Sequence, residues 1–267
     1  MKITWLLCCV VLVFAAPARA NLVFGIAEGV SEQSRYGDLE NKYQPLADYL
    51  GRVLKNKITL EASQSFNSAT TNLQKKRYDL FFCHPSNVPG IAIRDNQYQL
   101  VVMAKGDSNA NFIVRKDHTF KKPEEILTHT IAMPRSHTAL MTVAGQATIR
   151  DMGGMKEASL FRFANFQEAV SYMVEMKFAD VGIVNPRQAK AWEKKGGVVL
   201  FKSKKLLFWS ITASPKLGKA DLAKLQAALV NMENTEEGKK ILALINVKGW
   251  VLGNSQDFID QLTWLGV

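Results

Sequence analysis

Two stretches far apart in the chain follow one plan, and that repetition limits the folds open to it. Leu73 to Asn87 runs helix end, Tyr78-Asp79, apolar strand, His84-Pro85, helix. Val174 to Gln188 runs helix end, Ala179-Asp180, apolar strand, Asn185-Pro186, helix. The aspartate-to-proline spacing is six residues in both. Proline cannot continue a strand interior but suits the first turn of a helix, so each copy ends a buried strand at a polar turn. This pattern reads as two similarly built lobes, each with a strand end opening onto a polar turn.

The rest of the chain fits that reading. Strands are expected at Leu22–Ala27, Lys57–Glu61, Asp79–Cys83, Leu100–Ala104 and Phe112–Arg115. Between the first two, Tyr43–Leu54 carries Leu46, Tyr49, Leu50, Val53 and Leu54 on one helical face. Ser68–Lys76 is a shorter helix. The pattern restarts after Lys121-Lys122-Pro123, with strands at Thr130–Met133, Leu160–Phe163, Asp180–Val184 and Val198–Phe201. Helices are expected at Thr138–Arg150, Phe166–Met176 and Pro186–Lys195. Leu206–Ala213 reads as extended, followed by helices at Lys219–Met232 and Thr235–Ile245; Gly249–Val267 has no clear period. Alternating strands and helices predict an α/β layer structure with mainly parallel strands. Two extended crossings, near Lys105–Arg115 and Lys202–Ala213, divide it into a first lobe (21–105), a second lobe (106–205) and a C-terminal return to the first (206–267).

Residues 1–20 stand apart as a signal peptide. Lys2 gives a positive start, Ile3 to Ala16 an apolar core, and Ala18-Arg19-Ala20 a small-x-small cleavage signal. Cleavage after Ala20 leaves Cys83 as the sole cysteine, so the exported chain relies on its core and not on an internal disulfide. Net charge is +10, or +8 without Lys2 and Arg19. That excess favours anionic ligands, but the basic residues are scattered and accompany no nucleic-acid motif, so no nucleic-acid partner is expected.

The turn after the Thr130–Met133 strand holds Ser136, His137 and Thr138 ahead of a helix. Free backbone N–H groups and the positive end of the helix dipole make such a turn suited to an anion, although Ser136 or Thr138 could equally cap the helix. A terminus contributes about 0.3–2 kcal/mol, whereas micromolar affinity needs about 8 kcal/mol. Residues from a second lobe must therefore complete any site there. His84 and His137 both sit at strand-to-helix turns; protonated they would bond an anion, neutral they would ligate a metal. Arg187 near a helix start would pair with an oxyanion if it faced the cleft, and is otherwise a solvated arginine. Phe66, Phe82 and Trp209 are candidates for a cleft wall or for the core. G-x-S-x-G, Walker and G-x-G-x-x-G motifs are absent, so no catalytic residues, no enzymatic activity and no cofactor are expected.

Across nearly all its mature length, the chain resembles the phosphate/phosphite/phosphonate-type periplasmic solute-binding proteins of ABC importers. The resemblance rests on Tyr43-Gln44-Pro45-Leu46-Ala47-Asp48-Tyr49-Leu50, Tyr78-Asp79-Leu80-Phe81-Phe82 and Val114-Arg115-Lys116-Asp117. It continues through Ser136-His137-Thr138, Gln167 to Asp180 and Thr235-Glu236-Glu237-Gly238-Lys239. It implies a two-lobed α/β fold of the type II periplasmic-binding-protein kind, with a ligand cleft between lobes and two hinge crossings. It also implies a monomer that captures a small anionic solute and docks on an inner-membrane ABC permease. The family's oxyanion turn falls on Ser136, His137 and Thr138, with an imidazole at its middle position. A family histidine falls near Gln167, an acidic residue that reads the amino group of aminophosphonates near Arg187, and a wall aromatic near Phe66. The glycine-containing turn after the third strand is replaced by His84-Pro85-Ser86. These departures point away from aminophosphonates. The expected ligand-binding set is Ser136, His137, Thr138, His84, Ser86, Phe66, Phe82, Gln167, Asn185 and Arg187, with no metal. The alternatives are a periplasmic sensor for a membrane receptor or histidine kinase, or a metal-ion carrier using His84 and His137.

Overall fold

The structure is a computed structural model that describes residues 20–28, 36–63, 65–135, 139–154 and 157–267. Residues 1–19, in the stretch expected to be a signal peptide, and Ser136, His137 and Thr138 therefore lie outside the described residues. In chain order the elements are β1 (Leu22–Ala27), α1 (Tyr36–Leu54), β2 (Ile58–Ala62), α2 (Phe66–Gln74), β3 (Leu80–Cys83) and α3 (Asn87–Asn96). They continue with β4 (Gln99–Ala104), β5 (Asn111–Val114), β6 (Ile131–Pro134), α4 (Leu140–Asp151), β7 (Phe161–Ala164), α5 (Gln167–Glu175), β8 (Val181–Val184) and α6 (Pro186–Lys194). The last are β9 (Val198–Lys202), β10 (Ser210–Ala213), α7 (Lys219–Val230), α8 (Glu236–Leu244), β11 (Trp250–Val251) and α9 (Ser255–Leu265).

The strands form two sheets, one in the order β11-β4-β10-β3-β1-β2 and one in the order β7-β6-β8-β5-β9. Both are mixed, which corrects the expectation of mainly parallel strands. β1 runs parallel to β2 and β3, and β6 parallel to β7 and β8. β10 is antiparallel to β3 and β4, and β5 antiparallel to β8 and β9. The reason lies in the crossings. β10 starts opposite the end of β3, with Ser210 paired to Cys83, and β5 starts opposite the end of β8, with Asn111 paired to Val184. A strand arriving from the other sheet enters where its neighbours finish, and so runs against them.

The two aspartates of the sequence repeat have one structural job. Asp79 accepts a hydrogen bond from the Val23 amide through Oδ2 at 2.8 Å, while its own amide donates to the Val23 carbonyl at 2.8 Å. Asp180 Oδ2 accepts from the Thr130 amide at 3.0 Å and from Thr130 Oγ1 at 2.6 Å, and its amide donates to the Thr130 carbonyl at 2.9 Å. Each aspartate thus pins the start of the central parallel strand to that of its neighbour. β1-α1-β2-α2-β3-α3 and β6-α4-β7-α5-β8-α6 are two copies of one winding. In that correspondence His84 matches Asn185, not His137, so the two histidines do not occupy equivalent turns.

Apolar faces close both sheets. α1 buries Leu39, Tyr43, Leu46, Ala47, Leu50 and Leu54 with β-strand residues such as Phe24 and Phe82. The helix begins at Tyr36 and not at Tyr43, because Leu39, Tyr43, Leu46 and Leu50 continue one apolar stripe through the added turns. Each fully buried Leu or Phe contributes about 1.5–3 kcal/mol, which makes this stripe the main reason the helix forms. Gly25 faces the Tyr78 ring so closely that a Cβ would lie 2.5 Å from it.

The crossings are shorter than expected, since Asn111–Val114 and Ser210–Ala213 are strands of the sheets. What remains of them runs side by side: Leu206 donates to the Ser108 carbonyl at 2.8 Å, and Ser203 to that of Ala110 at 2.9 Å. α7 and α8 return to the first sheet, against α1. The aperiodic C-terminus contains α9, which packs on α3 while Leu265 enters the core of the second sheet. Trp264 Nε1 donates to Asp151 of α4 at 2.9 Å, so α9 touches both halves. Among the described residues, no helix is long and apolar enough to cross a membrane.

Candidate functional site

Strands β1 and β3 end side by side in parallel, with Ala27 paired to Cys83, so the residues that follow them share one edge of the sheet. Those residues are Glu28 and His84. The first turns of α1 place Lys42 and Tyr43 over the same edge, and Trp209 enters from the second crossing, just before β10.

One carboxylate oxygen organises the group. Glu28 Oε1 accepts from the Tyr43 hydroxyl and from Lys42 Nζ, and His84 Nε2 lies 3.4 Å from it. His84 Nε2 also lies 3.4 Å from the Tyr43 hydroxyl oxygen. The His84 ring stacks on Trp209 at 3.8 Å and 9°, and Trp209 stacks on Phe208 at 4.6 Å and 13°. A Cβ at Gly106 would lie 2.4 Å from the Phe208 ring, so the other crossing lies against this stack. Phe82 meets His84 edge-on at 5.4 Å and backs onto Trp250.

Charge in this cluster is balanced internally. Burial works against the Glu28 carboxylate, but His84, Lys42 and Tyr43 outweigh it and hold its pKa below the ordinary glutamate value. Burial, and then the Glu28 charge, push the Tyr43 phenol far up, so it stays a donor. Burial lowers His84 from 6.5 to about 4, against the pull of Glu28, so the imidazole is neutral near pH 7. Burial raises the Cys83 thiol well above its usual value, which leaves it unreactive.

The chain matches, over residues 29–258, the family described as "ABC transporter, phosphonate, periplasmic substrate-binding protein". The chain belongs to this family. Its fold is similar to that of a Xanthomonas citri protein solved bound to ATP, at TM-score 0.75 and 12% identity over 93% of this chain and 98% of that one. It is also similar to PhnD1 from Prochlorococcus marinus in complex with methylphosphonate, at TM-score 0.69 and 14% identity over 91% and 96% of the two chains. A binding protein component of an ABC phosphonate transporter from Pseudomonas aeruginosa gives TM-score 0.66 and 15% identity over 92% and 86%. No curated protein matches the sequence. The two-lobed periplasmic-binding-protein fold expected from the sequence is the fold found, and membership in this transporter family implies a small solute and a membrane permease as partners.

For a phosphonate-family binding protein, the expected ligand set divides sharply. His84 stands at the sheet edge with its side chain about one-fifth exposed. Phe82 is wholly buried and backs the His84 ring. Ser86 is wholly buried as well; its hydroxyl accepts from Gln261 Nε2 at 2.8 Å, and the Gln261 carbonyl accepts from the Leu207 amide at 2.7 Å. It therefore ties the turn to α9 and the crossing, and is not cleft surface. Phe66 opens α2, half-buried against the core that includes Leu73 and Tyr78.

On the second sheet, Gln167 Oε1 accepts from the Asn185 amide at 2.9 Å, and Asn185 Oδ1 caps α6 through the Gln188 amide at 2.8 Å. Arg187, its side chain 69% exposed, pairs with Glu168 at 3.1 Å. Ser136, His137 and Thr138 lie outside the described residues. Their surroundings are clear: Thr142 in the first turn of α4 donates to the Pro134 carbonyl at 2.6 Å, and the cap position is Ala139. The helix starts at Leu140, two residues later than the sequence pattern predicts. Among the described residues, no group of three or more His, Cys, Asp and Glu side chains is arranged to hold a metal.

Glu28, Lys42 and Tyr43 are the residues that sequence reasoning missed. The signal was present in the internal repeat: Glu28 follows β1 as Arg135 and the Ser136–Thr138 turn follow β6. Aligning the first strands of the two copies, and not only the third, would have marked position 28.

Proposed function

We propose that this protein captures a small oxyanion of the phosphonate, phosphite or phosphate class between its two sheets and delivers it to an ABC permease. The observation that carries the reading is the wall of Glu28, His84 and Trp209 at the β1 and β3 ends, with the buried Tyr43 behind it, in a chain of the phosphonate-binding family. Ligands of open α/β sheets sit outside the carboxyl ends of the strands, and these residues stand there. The opposing share of the site falls to the β6–α4 turn with Ser136, His137 and Thr138, and to the ends of β7 and β8. The positive end of a helix dipole, here that of α4, favours an anion's charge.

The lobes are assigned to 21–105 with 206–267, and to 106–205; the exported protein, cleaved after Ala20, acts as a monomer and without catalysis. The ATP-bound Xanthomonas citri neighbour shares the fold alone, and the rings here that a nucleobase would stack on, His84, Trp209 and Phe208, are already stacked on one another. A thermal-shift panel tests the reading. Methylphosphonate, phosphite or phosphate at 100 times its Kd should stabilise the fold by about 2.7 kcal/mol. Failure of the whole panel to raise the melting temperature would overturn the ligand class.

A further inference from the structure

We infer that His84 reads the protonation state of the ligand, accepting a hydrogen bond from its O–H through Nδ1 and so selecting a monoprotonated oxyanion over one with no proton to give. This deepens the proposed function and rests on it. The inference follows from counting protons around Nε2. The Tyr43 hydroxyl commits its only proton to Glu28 Oε1, which leaves the phenol oxygen as an acceptor toward His84. Glu28 Oε1, the other neighbour of Nε2 at 3.4 Å, is a carboxylate oxygen and can only accept. Both neighbours of Nε2 therefore require a donor, and the proton of a neutral imidazole must sit there. Nδ1 is then a lone pair, with no partner among the described residues.

The ring cannot turn easily to exchange the two nitrogens. It is held face-on by Trp209 at 3.8 Å and edge-on by Phe82 at 5.4 Å. The ionisable groups around it are Glu28 from the end of β1, Lys42 and Tyr43 from α1, and Cys83 from its own strand. With Glu28 ionised and Lys42 protonated their charges sum to zero, so Lys42 opposes the pull of Glu28 for a second proton on the ring. Its depressed pKa agrees, and keeps Nδ1 unprotonated through the range in which phosphonates lose their last proton. An acceptor held fixed against a bound ligand penalises any ligand atom that also can only accept, because two lone pairs then face each other.

Two anions of similar shape separate the possibilities by isothermal titration calorimetry of the full chain between pH 6 and 9. Methylphosphonate carries an O–H as its monoanion; methanesulfonate has the same charge and no proton. At pH 6 the sulfonate should bind at least about a hundredfold more weakly. Above the second ionisation of methylphosphonate, its affinity should fall by about tenfold per pH unit. Titration of the protein itself would move both anions alike, so the difference between them reports the ligand's proton. In His84→Phe, which keeps the ring against Trp209 and removes the acceptor, the gap between the anions should shrink to about tenfold or less. Nitrogen-15 NMR of the histidine side chains at pH 7 gives the tautomer without any variant.

Equal binding of the two anions, a phosphonate affinity flat with pH, or a proton found on Nδ1 overturns the inference while leaving the oxyanion function intact. Binding of neither anion at any pH overturns both.

Discussion

At the scale of single residues, Glu28 and His84 are partly buried side by side and held in opposite charge states. Glu28 stays charged because three donors converge on it, and His84 stays neutral because burial outweighs the pull of Glu28. Both make the fold sensitive to acid. The His84 pKa is lower in the folded state, about 4 against 6.5, so the unfolded chain binds more protons between those values and stability falls as pH drops through them. The Glu28 pKa is also depressed, so its contribution is present above the ordinary glutamate value and lost as pH falls through the folded one. Urea denaturation should therefore show the wild type losing about 1–2 kcal/mol between pH 7 and pH 5. His84→Phe should flatten that slope; an unchanged slope would place the titrating group elsewhere.

At the scale of elements, the repeat was readable from sequence because its logic is local. Asp79 and Asp180 bond the backbone one strand away, and the prolines mark where each strand hands over to a helix, so spacing alone revealed them. Each aspartate secures two or three hydrogen bonds, and removing an acceptor leaves its donors unpaired. Asp79→Ala and Asp180→Ala should each cost about 1–3 kcal/mol in urea denaturation. A cost below the error of the measurement would show the clamp to be incidental.

The antiparallel strands and α9 were not legible, since both depend on where the chain returns in space. α9 has no strong local period, yet Gln261 joins Ser86 to the Leu207 amide, and Trp264 reaches Asp151. Gln261→Ala frees the turn beside His84 from the crossing. Ligand affinity should drop by about three- to tenfold, the equivalent of losing one net hydrogen bond. Calorimetry showing full affinity would confine Gln261 to a structural role.

At the scale of the whole molecule, two copies of one winding face each other across paired crossings, and the ends of their parallel strands supply unlike chemistry. The first offers a charge-balanced, aromatic wall; the second offers a helix start behind Arg135. Sequence reading proposed the second half from its hydroxyls and missed most of the first, because it aligned the two copies on their third strands and not on their first. What made Glu28 visible was its convergence with Lys42, Tyr43 and His84, residues separated from it in sequence but brought to one edge by β1, α1 and β3.

The central claim is that this edge forms half of an oxyanion site. It is tested most directly by calorimetric titration of methylphosphonate into the wild type and into the double variant Glu28→Ala, His84→Ala, with circular dichroism confirming that both are folded. The account predicts binding by the wild type and a loss of at least about a hundredfold, roughly 2.7 kcal/mol, in the variant. A folded double variant that binds as tightly as the wild type would contradict it.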